Sequence, residues 1–402
     1  MQSLRYLYRI GNGPSSSHTM GPEAAAKRFL SENPDAEEYK VVLLGSLAKT
    51  GKGHMTDAAL ARQFGTRKVR IIFDKESPTP YHPNTLDFYA INGGSPSAFK
   101  RFYSIGGGEI IADGETPHEK EDIYKYNSFN EISKYCSTNG IRIWQYAEET
   151  EGPELRNYLL SVWECMKASI SEGLVEDGIL PGGLGVKRKA KYLYSLRHRD
   201  MKSVTDDNRR ICAYAYAVSE QNASGKKIVT APTCGSCGVV PAVLKYLQHR
   251  RGFSDELIVR ALATGGIVGN LIKHNASISG AECGCQAEIG TACAMAAAAA
   301  AELSGLNLDQ IEYSAEMSIE HHLGLTCDPV YGLVQIPCIE RNAVAAMRAL
   351  DAVDLADCIY DSRKISFDMV VKTMYETGRD LQVMYRETAQ GGLARIYSKE
   401  NR

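Results

Sequence analysis

Ala292-Cys293-Ala294-Met295-Ala296-Ala297-Ala298-Ala299-Ala300-Ala301 is the longest apolar run of the chain, and almost all of it is alanine. Alanine combines the best helix propensity with a very small side chain, so the run suits a buried helix packed closely among other helices rather than one facing lipid. It sets the reading of everything around it. From about Glu154 onward apolar residues recur at spacings near three and four with few β-branched alternations, which predicts a bundle of helices. No repeat of fixed period is visible.

Toward the N-terminus the pattern changes. Val41 to Leu44 and Val69 to Phe73 read as strands, while Pro22 to Leu30 and Thr56 to Phe64 read as helices. The run from Tyr103 to Ile111 is broken by Gly106, Gly107 and Gly108, as a sharply bent strand would be, and a polar stretch from Pro117 to Tyr126 suits a linker. The expected organisation is an α+β domain over residues 1–116, a linker over 117–153, and an all-α domain over 154–402. Two domains also follow from size, since 402 residues exceed what one hydrophobic core usually serves.

A hydrophobic fraction of 44%, a charged fraction of 23% and a net charge of -2 carry no electrostatic bias toward nucleic acid or acidic membrane. The partners expected are small molecules or a second copy of the chain. Met1 to Ile10 lacks the apolar core of a signal peptide and no stretch reaches membrane-span length, so a cytoplasmic protein is expected. In that compartment eleven cysteines, an odd number, point away from disulfides and toward reactive or metal-bound thiols. Cys136, Cys165, Cys212 and Cys358 stand alone in helical patterns and read as buried free thiols.

The other seven cysteines fall between Cys234 and Cys338, and three of them sit beside glycine or proline: Cys285 in Gly-Cys-Gln, Cys327 in Cys-Asp-Pro, and Cys338 in Pro-Cys-Ile-Glu-Arg-Asn. Loops between helices can aim three sulfurs at one point, and thiolates bind soft metals or iron–sulfur clusters. The spacing matches neither a zinc ribbon nor a ferredoxin run, so buried thiols remain the alternative. Cys234 and Cys237 form a C-x-x-C pair within Thr230 to Gly238, which admits redox work, although no thioredoxin-like βαβ pattern surrounds it.

Two further segments carry candidate chemistry. Gly13-Pro14-Ser15-Ser16-Ser17-His18-Thr19-Met20-Gly21-Pro22 is a hydroxyl-rich loop entering a helix with Pro22 in its first turn, a setting that suits a carboxylate or serves only as a capping turn. Gly45-Ser46-Leu47-Ala48-Lys49-Thr50-Gly51-Lys52-Gly53-His54 follows a strand and precedes a helix. It departs from a P-loop, because five residues separate Gly45 from Gly51 and Gly53 stands where Ser or Thr should be. Lys52 and His54 remain candidates for proton transfer.

Taken together these segments resemble the iron–sulfur-dependent L-serine dehydratases, and the likeness runs over nearly the whole chain. It rests on the serine loop, Thr50 to His54, His82-Pro83-Asn84, Ser104 to Gly108, Leu180 to Arg188, Thr230 to Thr233, Ser277 to Glu282, Cys327-Asp328-Pro329 and Cys338 to Asn342. The resemblance implies an N-terminal domain similar to the allosteric substrate-binding domain of some phosphoglycerate dehydrogenases, followed by a helical catalytic domain. It also implies a [4Fe-4S] cluster held by Cys285, Cys327 and Cys338, with one iron left as a Lewis acid for L-serine, and a homodimer. Substrate-binding residues are expected at Ser15, Ser16, Ser17, His18 and Thr19, and the catalytic base at His54 or, less favoured, Lys52.

Some two-domain members end in a cysteine that reaches the cluster, whereas this sequence ends Glu400-Asn401-Arg402. Either the fourth iron is open or another group covers it. Cys234, Cys237 and Cys283 stand where relatives commonly have small or polar residues, and each is an alternative ligand. Competing functions are β-elimination from L-cysteine and a cluster-bearing sensor or amino-acid-binding regulator without catalysis. A pyridoxal-phosphate enzyme would need a Schiff-base lysine and a phosphate cup, and no convincing pair is present.

Overall fold

The computed structural model describes residues 1–116, 121–196, 203–389 and 391–400. The terminal Asn401-Arg402 and part of the polar stretch after Pro117 lie outside them. The chain forms two compact units, one of residues 11–119 with 224–226, the other of residues 1–10, 120–223 and 227–402. Short strands β1 (Ile10–Asn12) and β7 (Lys227–Val229) lie where the chain passes from one unit to the other.

In the smaller unit β2 (Glu38–Leu44), β3 (Val69–Asp74), β4 (Thr85–Asn92), β5 (Ser95–Gly106) and β6 (Glu109–Ala112) form one sheet in the order β3-β2-β4-β5-β6. Only β2 and β3 run parallel, with Val41 opposite Ile71. A parallel pair needs a crossover, which here carries α2 (Gly45–Thr50) and α3 (Thr56–Phe64). Along β2 the side chains alternate, so that Tyr39, Val41 and Leu43 are fully buried. They pack with Phe29 of α1 (Gly21–Glu32), Leu47 of α2 and Phe64 of α3, together with Phe88 and Phe102 from the sheet.

The three glycines Gly106 to Gly108 make the tip of a hairpin between β5 and β6 rather than a bend within one strand. Gly93 and Gly94 close the β4–β5 hairpin with φ of 57 and 78°, the left-handed conformation a two-residue turn of this kind requires.

The larger unit is helical. Its elements are α4 (Phe129–Asn139), α5 (Ile143–Glu151), α6 (Glu154–Gly173), α7 (Ala190–Ser195), α8 (Ser203–Ala223), α9 (Val239–Arg251), α10 (Asp255–Asn275) and α11 (Gly280–Cys283). There follow α12 (Thr291–Leu303), α13 (Leu308–Glu320), α14 (Cys338–Ile359), α15 (Phe367–Asp380) and α16 (Gly392–Glu400). Residues 129–151, within the stretch read from sequence as a linker, thus carry α4 and α5. Met1 to Ile10 belongs to this unit too: Leu4, Leu7 and Tyr8 are buried, and the Tyr8 hydroxyl donates to the Leu262 carbonyl at 3.0 Å.

The alanine run is α12, buried throughout from Ala292 to Ala301. Small residues let neighbours approach closely. A Cβ on Gly265 of α10 would stand 2.5 Å from the Met295 carbonyl oxygen, and one on Gly269 would stand 2.6 Å from the Met295 sulfur. Among the described residues no helix is long and apolar enough to cross a membrane.

Candidate active site

Each of the three loop cysteines is delivered by the start of a helix or by a turn. Cys285 precedes a π-helical turn, Gln286–Gly290, that runs directly into α12, and Cys338 is the first residue of α14. Helix starts favour a thiolate because unpaired N–H groups point outward there. Cys327 lies in the turn before a 3-10 segment, Val330–Gly332. Its backbone is fixed by a short parallel pairing: Cys327 N–H donates to the Tyr385 carbonyl at 2.8 Å, and Glu387 N–H donates to the Cys327 carbonyl at 2.7 Å.

These stretches converge. The Cys327 thiol lies beside that of Cys285, and this contact, then burial, then the charges of Cys285, Glu288 and Glu387, push its pKa well above the ordinary thiol value. Burial and the Cys285 charge do the same for Cys338. Arg341, one turn into α14, ties the three together. It sits against the Cys285 sulfur and donates from Nη1 to the Thr326 carbonyl at 2.6 Å, beside Cys327. Burial works against its charge, but the Cys285 and Cys338 sulfurs and Asp328 outweigh burial and hold the guanidinium above its ordinary pKa.

Asn342 fixes the next layer. Its Nδ2 donates to the Cys338 carbonyl at 2.8 Å and to the Gly235 carbonyl at 2.7 Å, while its Oδ1 accepts from Gly238 N–H at 2.9 Å. The Cys234 to Gly238 turn is thereby clamped to a thiol-bearing helix. Thr233 Oγ1 donates to Glu288 Oε1 at 2.6 Å, and a Cβ on Gly280 would stand 2.7 Å from Glu288 Oε2 and 3.0 Å from Cys327 Sγ. Burial raises the Glu288 pKa against the Thr233 hydrogen bond and the Arg341 charge.

Among the described residues no group of three or more His, Cys, Asp or Glu is arranged to hold a metal ion. A cubane makes a different demand, one thiolate at each of several separated iron corners. Three soft sulfur donors from distant chain segments, Cys285 and Cys327 buried and Cys338 half-buried, fit that demand. Cys285 and Cys327 are only 4% and 5% exposed, so such a group would be shielded from water on that side.

The remaining cysteines are elsewhere or are inert. All eleven are free. Cys283 packs against Gly378 of α15, and Cys293 donates to the Ala345 carbonyl. Burial raises the Cys234 and Cys237 thiols well above the ordinary value, which opposes the thiolate a redox pair needs. Of the four solitary helical cysteines, Cys136 is buried and Cys165 and Cys212 are half-buried, whereas Cys358 is exposed. The exposure of Cys358 departs from the buried-thiol reading because it lies on the outward face near the end of α14.

In the smaller unit the serine loop, the Gly45–His54 segment, His82-Pro83-Asn84 and Ser104 come together. Ser15 caps a π-helical turn, Ser16–Met20, by accepting from His18 N–H, and the turn continues into α1 with Pro22 in its first turn. His18 Nδ1 meets Ser17 Oγ at 2.9 Å and its Nε2 meets Ser46 Oγ at 3.0 Å. Its ring lies 4.6 Å from that of His54. Thr19 Oγ1 donates to the His54 carbonyl, Thr56 Oγ1 to the His18 carbonyl and Ser104 Oγ to the Ser17 carbonyl, so both imidazoles are held from the backbone. Gly45, at φ 57°, brings the start of α2 against the Pro83 carbonyl, which accepts Ser46 N–H at 2.8 Å.

Burial, then the neighbouring His54, lowers the His18 pKa to about 3, and burial lowers that of His54 against its hydrogen bond to Thr50. Both rings are therefore neutral near neutral pH. His54 Nδ1 stands 3.1 Å from the Thr50 carbonyl, which can only accept, so Nδ1 carries the hydrogen and Nε2 the lone pair. Lys52 is exposed, with its ammonium 5.6 Å from the Phe73 ring centre.

Sequence reasoning passed over Glu288 and Glu387. A carboxylate between Ala287 and Ile289, one turn after Cys285, was a usable signal. Glu387 offered none, since it lies in a polar segment and is brought to the thiols by a tertiary backbone pairing.

The fold and these motifs belong to a known class. The chain is a member of the serine dehydratase family: residues 3–67 match the serine dehydratase beta chain and residues 109–394 the serine dehydratase alpha chain. Among full-length relatives, L-serine dehydratase 1 of Escherichia coli K12 is 38% identical, with 98% of this chain and 99% of that protein aligned. L-serine dehydratase of Haemophilus influenzae is also 38% identical over 98% and 99% of the two chains, and L-serine dehydratase TdcG of Escherichia coli K12 is 39% identical over 96% and 97%.

Proposed function

We propose that this protein is an L-serine dehydratase that releases water and then ammonia from L-serine to leave pyruvate. The convergence of Cys285, Cys327 and Cys338 carries the reading, and full-length similarity to curated L-serine dehydratases supports it. A [4Fe-4S] cluster on those thiols would supply one iron as a Lewis acid to the substrate carboxylate and β-hydroxyl.

The roles of the chain's own residues follow from what each can do. Arg341 holds two of the thiol-bearing stretches in register and keeps positive charge beside the sulfurs. The hydroxyls of Ser15, Ser16, Ser17 and Thr19, together with His18, are assigned to binding the substrate carboxylate. His54 is preferred over Lys52 as the group that takes the α-proton, because it is buried, neutral and presents Nε2 as a free lone pair, whereas Lys52 is exposed. Loss of the α-proton and of hydroxide gives aminoacrylate, which tautomerises to an imine and hydrolyses, returning the water and freeing ammonia.

The free state of all eleven cysteines agrees with a reducing cytoplasm, and a homodimer is proposed from family resemblance. The direct test is reconstitution with iron and sulfide without oxygen, followed by a pyruvate assay on L-serine. Pyruvate formation that is lost on exposure to air supports the proposal, and loaded protein that forms none refutes it.

A further inference from the structure

The turn that carries His54 closes as a helix end does. Thr56 N–H donates to the Gly51 carbonyl at 2.8 Å and Met55 N–H to the Lys52 carbonyl at 3.2 Å, the paired bonds of a Schellman motif. His54 is then the cap residue and Met55 the one after it, at φ 55° and ψ 31°. That left-handed position is glycine's by preference, because glycine has no Cβ to crowd the next carbonyl. Methionine stands there at a cost that glycine would avoid.

The side chain has a use that offsets the cost. A Cβ on Gly225 would stand 3.1 Å from the Met55 sulfur and 3.2 Å from its methyl carbon, so the thioether lies against the Gly225 backbone. Gly225 is buried and belongs to residues 224–226, the short return of the chain into the smaller unit. Next to it the Lys226 carbonyl accepts from Gly13 N–H at 3.0 Å, where the serine loop begins. One short stretch thus braces the serine loop through the backbone and the His54 turn through Met55. On the opposite side of that turn Thr19 Oγ1 donates to the His54 carbonyl at 2.9 Å, so the His54 backbone is held from both the thioether side and the serine-loop side.

We propose that Met55 is the positioning residue for His54: its thioether, seated on Gly225, fixes the turn that aims the imidazole. The inference rests on the reading of His54 as the group that takes the α-proton, and it adds what keeps that group in line. Proton transfer tolerates little misplacement, about 1 Å being enough to cost a hundredfold in rate. Substrate binding by the serine-loop hydroxyls does not use the thioether. The loss of Met55 should therefore appear in kcat rather than in KM.

The test compares three variants as anaerobically reconstituted protein with L-serine. Met55→Ala keeps the left-handed backbone under strain and empties the seat on Gly225, so kcat should fall by about tenfold or more with KM unchanged and iron content equal to that of the unaltered protein. Met55→Gly relieves the strain and should lose kcat to the same extent without unfolding at a lower temperature than Met55→Ala. Met55→Leu refills the seat with a side chain of similar volume and should restore kcat. The ring signals of His54 in histidine-labelled protein, assigned by their loss in His54→Gln, should shift in Met55→Ala and return in Met55→Leu. Full kcat in Met55→Ala, recovery of kcat in Met55→Gly, no recovery in Met55→Leu, or ring signals that ignore Met55→Ala would overturn the assignment. Full turnover in His54→Gln would instead remove the proton-transfer reading, while ring signals that follow the Met55 side chain would leave the positioning contact standing.

Discussion

The guanidinium of Arg341, in α14, sits against the sulfur of Cys285, which precedes the turn leading into α12. Because the same group also holds the Thr326 carbonyl beside Cys327, one side chain on the Cys338 helix fastens the other two thiol-bearing stretches. Replacing Arg341 with methionine keeps much of the packing and removes these bonds. The Thr326 carbonyl loses its partner, costing about 1–3 kcal/mol. Denaturant unfolding should show that loss, and iron retained after desalting should fall well below the unaltered level.

Gly280 tests the tightness of the same place from another side. An added methyl would meet Glu288 Oε2 at 2.7 Å and Cys327 Sγ at 3.0 Å. Gly280→Ala should therefore reduce cluster loading sharply, while overpacking limits the stability loss to about 1–3 kcal/mol. Circular dichroism and iron content on the same sample separate the two effects. Retention of full iron loading would mean that the thiols have room to spare.

For proton transfer, His54→Gln should leave iron content intact and lower turnover by about a hundredfold or more. Lys52→Met, on an exposed side chain, should change turnover little. Since burial lowers the His54 pKa, the basic form persists below the usual histidine range. The acid limb of kcat/KM should accordingly lie below pH 6.5. Retained turnover in His54→Gln would move the role elsewhere, with neighbouring His18 the next group to alter.

Both histidines also tie stability to acidity. His18 is held near 3 in the fold against 6.5 as its ordinary value, and His54 is lowered as well, so the unfolded chain binds more protons between those limits. The stabilisation is complete above pH 6.5 and drains away as pH falls toward 3. Thermal unfolding between pH 7 and 5 should show a declining midpoint, and His18→Asn should flatten that decline.

Much of this architecture was legible because local pattern and tertiary context agreed. The alanine run became the buried α12, Val41 to Leu44 became part of β2 between β3 and β4, and Thr56 to Phe64 formed the helix that its periodicity predicts. What escaped depended on partners distant in sequence. Gly106 to Gly108 could bend one strand or join two, and only the pairing of Tyr103 with Ile111 decides for a hairpin. The Asn92-Gly93-Gly94-Ser95 turn, by contrast, was a readable hairpin signal that went unused. At the site, cysteine placement beside glycine and proline showed which thiols could converge, whereas Glu387 reaches them only through its pairing with Cys327.

The most direct measurement is iron and acid-labile sulfide per chain after anaerobic reconstitution, for the unaltered protein and for Cys285→Ser, Cys327→Ser and Cys338→Ser, with Cys358→Ser as control. Convergence of the three thiols predicts about four of each in the unaltered and control proteins, a sharp fall in each of the other three variants, and pyruvate formation that follows the iron. Full loading in any one of those three, or turnover of L-serine by metal-free protein, would contradict it.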